Sequence, residues 1–168
     1  MNWYEAVFEL IELRSFSNLW YWLTLAVFWS SATQYVLGVP FELVLRAKRN
    51  GGQADADLHD MVRLAITRLL IISGVSGLLS VGFACFMITG LFLLGFIYGI
   101  EFAQASFLIL FPMGLLRLMS IRAASSIEAN VETMDELKAL LLKHRFWTQV
   151  IGTLSIFITA SWGMYQNM

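Results

Sequence analysis

Residues 15–41, 69–100, 102–116 and 146–168 contain no Asp, Glu, Lys or Arg. No other feature constrains the chain as much. Crossing ~30 Å of hydrocarbon takes about 20 helical residues at ~1.5 Å each, because lipid admits only backbones that satisfy their own hydrogen bonds. The first and last stretches each hold one crossing. The middle two, interrupted only by Glu101, read as two crossings joined by a short turn. The charged fraction of 14% is far below the about 25–35% that coats a globular surface, and 58% of the residues are hydrophobic. The expected fold class is therefore all-α: a polytopic membrane protein with a four-helix transmembrane bundle and cytoplasmic helical extensions. A soluble enzyme is argued against on the same grounds. The net charge of −1 offers no basic excess for nucleic acid.

The placement of the cations gives the expected orientation. Arg46, Lys48, Arg49, Arg63 and Arg68 lie between the first and second crossings, and Arg117, Arg122, Lys138, Lys143 and Arg145 between the third and fourth. Only Arg14 flanks the other side, beside Glu5, Glu9 and Glu12. The positive-inside rule then puts both termini outside and both long connections in the cytoplasm, in a bacterium across the inner membrane. Trp20, Tyr21 and Trp22 at one crossing, Trp162 and Tyr165 at another, and Trp147 at the opposite interface fit aromatic belts. The expected segments are an outer interfacial helix over 1–14, spans at about 16–38, 66–91, 94–118 and 146–165, and cytoplasmic connections over 39–65 and 119–144. The acidic start, with no small-residue cleavage site after the first apolar run, predicts that the first span is retained.

The connections are expected to be helical. Asp57 is a candidate cap for a helix running into the second span. Ser125 with Glu128, and Thr133 with Glu136, both match the capping box, which predicts a bend near Asn130. Val131, Met134, Leu137 and Leu141 recur at helical spacing and form an apolar stripe open to the bundle, a partner or lipid headgroups.

Glu101 is the most informative single position. If the second helix runs to Tyr98, Glu101 lies in the outer turn. If the chain turns near residues 89–93, it lies roughly 12–15 Å down the third helix, with Tyr98, Gln104 and Ala105 on its face. An intramembrane acid is an ion-path candidate. Ser30, Ser31, Thr33 and Gln34, in the inner half of the first span, are candidates to line a path or to bond a neighbouring helix. Ser73 with Gly77, and Gly95 with Gly99, place small residues four apart and are candidate helix-packing sites. Pro112 is expected to kink the third helix and free a carbonyl one turn earlier, and Arg117 to snorkel to headgroups.

The sequence offers little for catalysis. Cys85 is the only cysteine, and His59 and His144 lie in separate segments without a set of ligands at metal spacing. No nucleophile–base pair is visible, so neither enzyme activity, metal nor cofactor is expected.

The runs Arg14-Ser15-Phe16-Ser17-Asn18-Leu19-Trp20-Tyr21-Trp22, Val36-Leu37-Gly38-Val39-Pro40, Tyr98-Gly99-Ile100-Glu101-Phe102-Ala103-Gln104-Ala105 and Trp162-Gly163-Met164-Tyr165-Gln166-Asn167-Met168 resemble a family of small four-span bacterial inner-membrane proteins. Its members are sometimes labelled components of the Suf iron–sulfur assembly complex. That resemblance implies the same architecture and a cytoplasmic scaffold–ATPase partner. The chain itself carries no nucleotide-binding loop and no cysteine set, so only the architecture is carried over.

Two functions compete at this level. One is a homo-oligomeric transport protein, most simply an ion channel, lined by the first span or by the Glu101 face. The other is a non-catalytic accessory subunit of a larger membrane complex, docked through its helices and the Leu137/Leu141 stripe.

Overall fold

The computed structural model describes residues 15–75 and 77–168, and the expected interfacial helix over 1–14 lies outside them. A single 3-10 turn, Ser15–Ser17, leads into helix α1, Leu19–Gln34. Asn18 caps α1 by accepting the Trp20 N–H at 2.9 Å. A minimal hairpin follows, β1 Tyr35–Val36 against β2 Val39–Pro40, paired antiparallel. Its two turn residues, Leu37 and Gly38, both have positive φ, 53° and 84°, which matches the right-handed twist of the strands. Leu37 holds this conformation, rare for a residue with a Cβ, while its side chain is buried.

Helices α2, Phe41–Asn50, and α3, Gln53–Val75, are joined at Gly51 and Gly52, both of positive φ. Helix α4, Gly77–Phe92, continues through a π turn, Leu93–Ile97. Helix α5 is Glu101–Asn130, and α6 is Met134–Gln166. Thr133 caps α6 by accepting the Glu136 N–H, while Glu136 reaches back to the Glu132 N–H, both at 3.4 Å. Of the two capping-box matches, only this one sits at a helix start, because α5 runs unbroken through Ser125 and Glu128.

The all-α expectation holds for the described residues, apart from the small hairpin. Two helical segments, Gly77–Ile97 and Glu101–Asn130, are long and apolar enough to cross a membrane by length and composition. The turn between them is a correction to the expected boundaries at 91 and 94. The chain turns over Tyr98 to Ile100, where Gly99 supplies a φ of 72° and the Tyr98 N–H bonds back to the Leu93 carbonyl at 3.2 Å. Residues 89–93 hold no comparable turn chemistry and remain helical.

Helix α6 packs between α1 and α5, and α5 in turn packs on α3 and α4. The buried apolar core lies at the end of the molecule that carries most cations, here called the charged end. Val36, Val39, Val44, Leu58, Val62, Ala124, Leu137 and Leu141 meet there. The most apolar helix is outside that core: no residue of the most apolar 18-residue window in Gly77–Ile97 is buried. Leu78, Leu79, Phe83 and Phe86 are among its exposed side chains.

Away from the core, the helices meet through small residues. Thr148, Gly152, Ser155, Thr159 and Gly163 form the buried face of α6. The Trp29 ring lies on Gly152, where a Cβ would meet Cε3 at 2.8 Å, and Phe16 and Trp22 lie on Gly163. Pro112 is buried inside α5, and the Ser155 hydroxyl donates to the Leu108 carbonyl at 3.5 Å, the carbonyl a proline at 112 leaves without its helical donor. Gly152→Ala is expected to destabilise the fold by about 1–3 kcal/mol, since the buried Trp29 ring has to shift. Gly82→Ala, with open space around its Cβ, is expected to be neutral. Thermal unfolding of the two variants in the same detergent compares them directly.

Candidate functional site

The sequence candidates separate into three places. The first is the end opposite the core. Glu101 opens α5 and its Oε1 accepts the Phe16 N–H at 2.7 Å, a position where a carboxylate also complements the helix N-terminus. The chain therefore turns just before Glu101, as in the first of the two alternatives, and Glu101 is not an interior residue of α5. Tyr98 is 74% exposed and is not gathered with it.

Gln104 is only 4% exposed and ties three elements together. Its Nε2 donates to the Gly95 carbonyl at 2.8 Å, and its Oε1 accepts from Trp162 Nε1 at 3.0 Å and Gln166 Nε2 at 2.6 Å. The π turn brings Gly95 against Gln104, and a Cβ there would meet the Gln104 backbone nitrogen at 2.9 Å. Among the paired small residues, Gly95 is thus a packing contact and Gly99 a turn residue. Ser73 donates to the Leu69 carbonyl of its own helix at 2.8 Å, and Gly77 has open space around it. Gly77 therefore meets no close neighbour among the described residues, and Ser73 spends its hydroxyl within its own helix.

The second place is the outward face of α1, where Ser30, Ser31 and Gln34 are exposed. They line no interior of the single chain. Trp20, Leu23 and Val27 extend the same exposed face at alternating spacings of three and four.

The third place is a cavity of about 370 Å³ at the charged end, which sequence reasoning did not assemble. Arg68 of α3, Arg117 and Ser120 of α5, and His144 of α6 line it, with Leu37 and Gly38 of the hairpin. His144 is 8% exposed, its Nε2 lies 3.1 Å from Ser120 Oγ, and its Nδ1 is buried without a partner among the described residues. Burial pushes its pKa below the usual histidine value. A second cleft of about 470 Å³ lies between His59 and Arg63 of α3 and Glu128 and Glu132, so cation and anion compensate within it.

The Val131, Met134, Leu137, Leu141 stripe is corrected as a docking surface. Leu137 and Leu141 are 3% and 0% exposed inside the chain's own core, with Val131 and Met134 packed against it. Lys138 pairs with Asp55 at 2.7 Å, and the Arg145 guanidinium lies 3.4 Å from the Phe41 ring centre, closing the same region.

Comparison of the chain with family models, with curated proteins and with solved structures gives no match. The functional reading therefore rests on the residues alone.

Two outcomes are expected. Gln104→Leu leaves the buried Gly95 carbonyl and the half-buried Trp162 indole without their partner and costs about 1–3 kcal/mol, read by unfolding in detergent. For His144, the unfolded chain takes up a proton near pH ~6.5, whereas the folded chain resists it until lower pH. Its contribution to stability is therefore complete above that pH and lost as pH falls toward the lowered folded value. His144→Gln is expected to flatten this part of a stability–pH profile.

Proposed function

We propose that the protein is a multi-pass integral membrane protein that assembles with copies of itself into an ion-conducting pore. In this reading four segments cross a bacterial inner membrane: α1, α4 with the end of α3, the apolar part of α5, and α6 from Phe146 onward. Both ends lie outside and the apolar core of the charged end lies in the cytoplasm, as the cation distribution favours. Support for the membrane comes from burial: the apolar surface of Gly77–Ile97 is exposed, which water disfavours and lipid does not.

The observation that carries the pore reading is the outward face of α1. The side chains of Ser30, Ser31 and Gln34 are exposed and make no hydrogen bond among the described residues. Polar side chains on a spanning helix face the bundle interior, a water-filled cavity or another helix. A ring of copies around an axis supplies both the second wall and the water. The Glu101 carboxylate, engaged by the Phe16 N–H at the outer turn, is assigned no part in conduction.

The test is the mass of the protein in lipid nanodiscs together with ion flux in liposomes. The expected result is a multimer of 19.0 kDa units with flux that falls several-fold in a Ser30→Leu/Gln34→Leu variant and is unchanged in Glu101→Gln at equal incorporation. A monomer without flux removes the reading.

A further inference from the structure

The cavity at the charged end has properties that the pore reading does not use. Its lining contains two arginines and no Asp or Glu. Among the described residues neither Arg68 nor Arg117 forms an ion pair. His144 also lines the cavity and is 8% exposed, and its buried Nδ1 has no partner among the described residues. A buried polar atom left unpaired is costly and calls for a ligand or water that completes it. Two guanidiniums from different helices present planar donor forks, the arrangement that matches the oxygens of a phosphate.

The position along the chain indicates where such a phosphate comes from. Arg68 is the last charge before the uncharged stretch 69–100, and Arg117 the first after 102–116. Leu69, Ile72 and Leu116 form apolar lining directly beside them, and Ile72 is 51% exposed. Polar oxygens at the arginines and hydrocarbon along Leu69 and Ile72 is the chemistry of a phospholipid at the cytoplasmic interface. Basic pockets between spanning helices on that side take anionic headgroups.

We propose that Arg68, Arg117 and His144 hold the phosphate of an anionic phospholipid headgroup between α3, α5 and α6, with its acyl chains against Leu69 and Ile72. The proposal rests on the membrane reading but not on conduction. Arg68 and Arg117 supply the charge, and the His144 ring lines the same cavity. Because the ligand bridges three helices, it braces the charged end against the span region.

The full chain, purified in an uncharged detergent, is titrated separately with phosphatidylglycerol, phosphatidylcholine and inorganic phosphate, and adducts are counted by native mass spectrometry. The expected result is a retained phosphatidylglycerol adduct preferred over phosphatidylcholine, weakened about tenfold or more in Arg68→Gln/Arg117→Gln. Arg68→Lys/Arg117→Lys is expected to recover part of the binding. Arg49→Gln/Arg122→Gln, which removes the same charge outside the cavity, is expected to bind as wild type. Equal adducts in the two glutamine doubles overturn the site. Binding of inorganic phosphate without preference for phosphatidylglycerol overturns the lipid source. Alkaline extraction of cell membranes separates the two readings. A chain released by alkali overturns both, whereas a retained chain without lipid preference overturns the headgroup site alone.

Discussion

The buried face of α6 is the surface on which the helices away from the charged end depend. Thr148, Gly152, Ser155, Thr159 and Gly163 recur every three or four residues, so their short side chains line one side of the helix. Without them Trp29 could not lie on α6, and Phe16 and Trp22 could not reach Gly163. Ser155 also reaches the Leu108 carbonyl beside Pro112, which makes a proline tolerable in the middle of α5. In the proposed bilayer setting, helices gain nothing by hiding apolar side chains from one another, and close packing with occasional hydrogen bonds is what remains. The charged end works differently. Val36, Val44, Leu58 and Leu141 are removed from solvent there as in a water-soluble core. Helices α3, α5 and α6 run through both regions, so one chain joins small-residue helix packing to an apolar core.

The Gln104 network and the charged-end cavity differ in how fully their polar atoms are used. Around Gln104, the amide nitrogen, the amide oxygen, the Trp162 indole and the Gln166 amide all find partners within the chain. Such a satisfied network fixes one arrangement and offers a ligand little. At the charged end, His144 keeps a buried ring nitrogen without a partner among the described residues, and the cavity it lines holds two arginines and no carboxylate. The proposed headgroup site lies where the chain leaves its own polar groups incomplete.

Much of this was legible in the sequence, for identifiable reasons. Uncharged runs and helical periodicity set where helices form, and the Thr133 cap and the carbonyl freed by Pro112 follow from local chemistry. The turn before Glu101 was not decided by composition, because Gly95 and Gly99 look alike in a sequence. One is a contact against Gln104 and the other a positive-φ terminus, and that difference exists only once α4 and α5 have paired. The stripe ending at Leu141 was visible but its cover was not, since that cover comes from the hairpin, α2 and α3. The His144 cavity was hidden most completely. Its residues come from α1, the hairpin, α3, α5 and α6, so no spacing along the chain brings Arg68 together with Ser120 and His144.

The outward face of α1 bears on what kind of pore the proposed assembly forms. Trp20, Leu23, Val27, Ser30 and Gln34 follow a three-four spacing, the repeat on which helices pack in left-handed pairs. Apolar residues occupy its outer half and hydroxyl and amide groups its inner half, so contact between copies and a hydrated lining are separated along one helix. Thr24 and Thr33 donate to carbonyls of α1 itself and place no further demand on a neighbour. A lining made of Ser30, Ser31 and Gln34 carries no fixed charge, and rings of charged side chains are what give a pore strong preference for one sign of ion. With Glu101 engaged at the outer turn, discrimination in such a pore falls to its width and to the energy of replacing water by hydroxyl and amide groups. The proposed channel is therefore one selected by size and hydration rather than by charge.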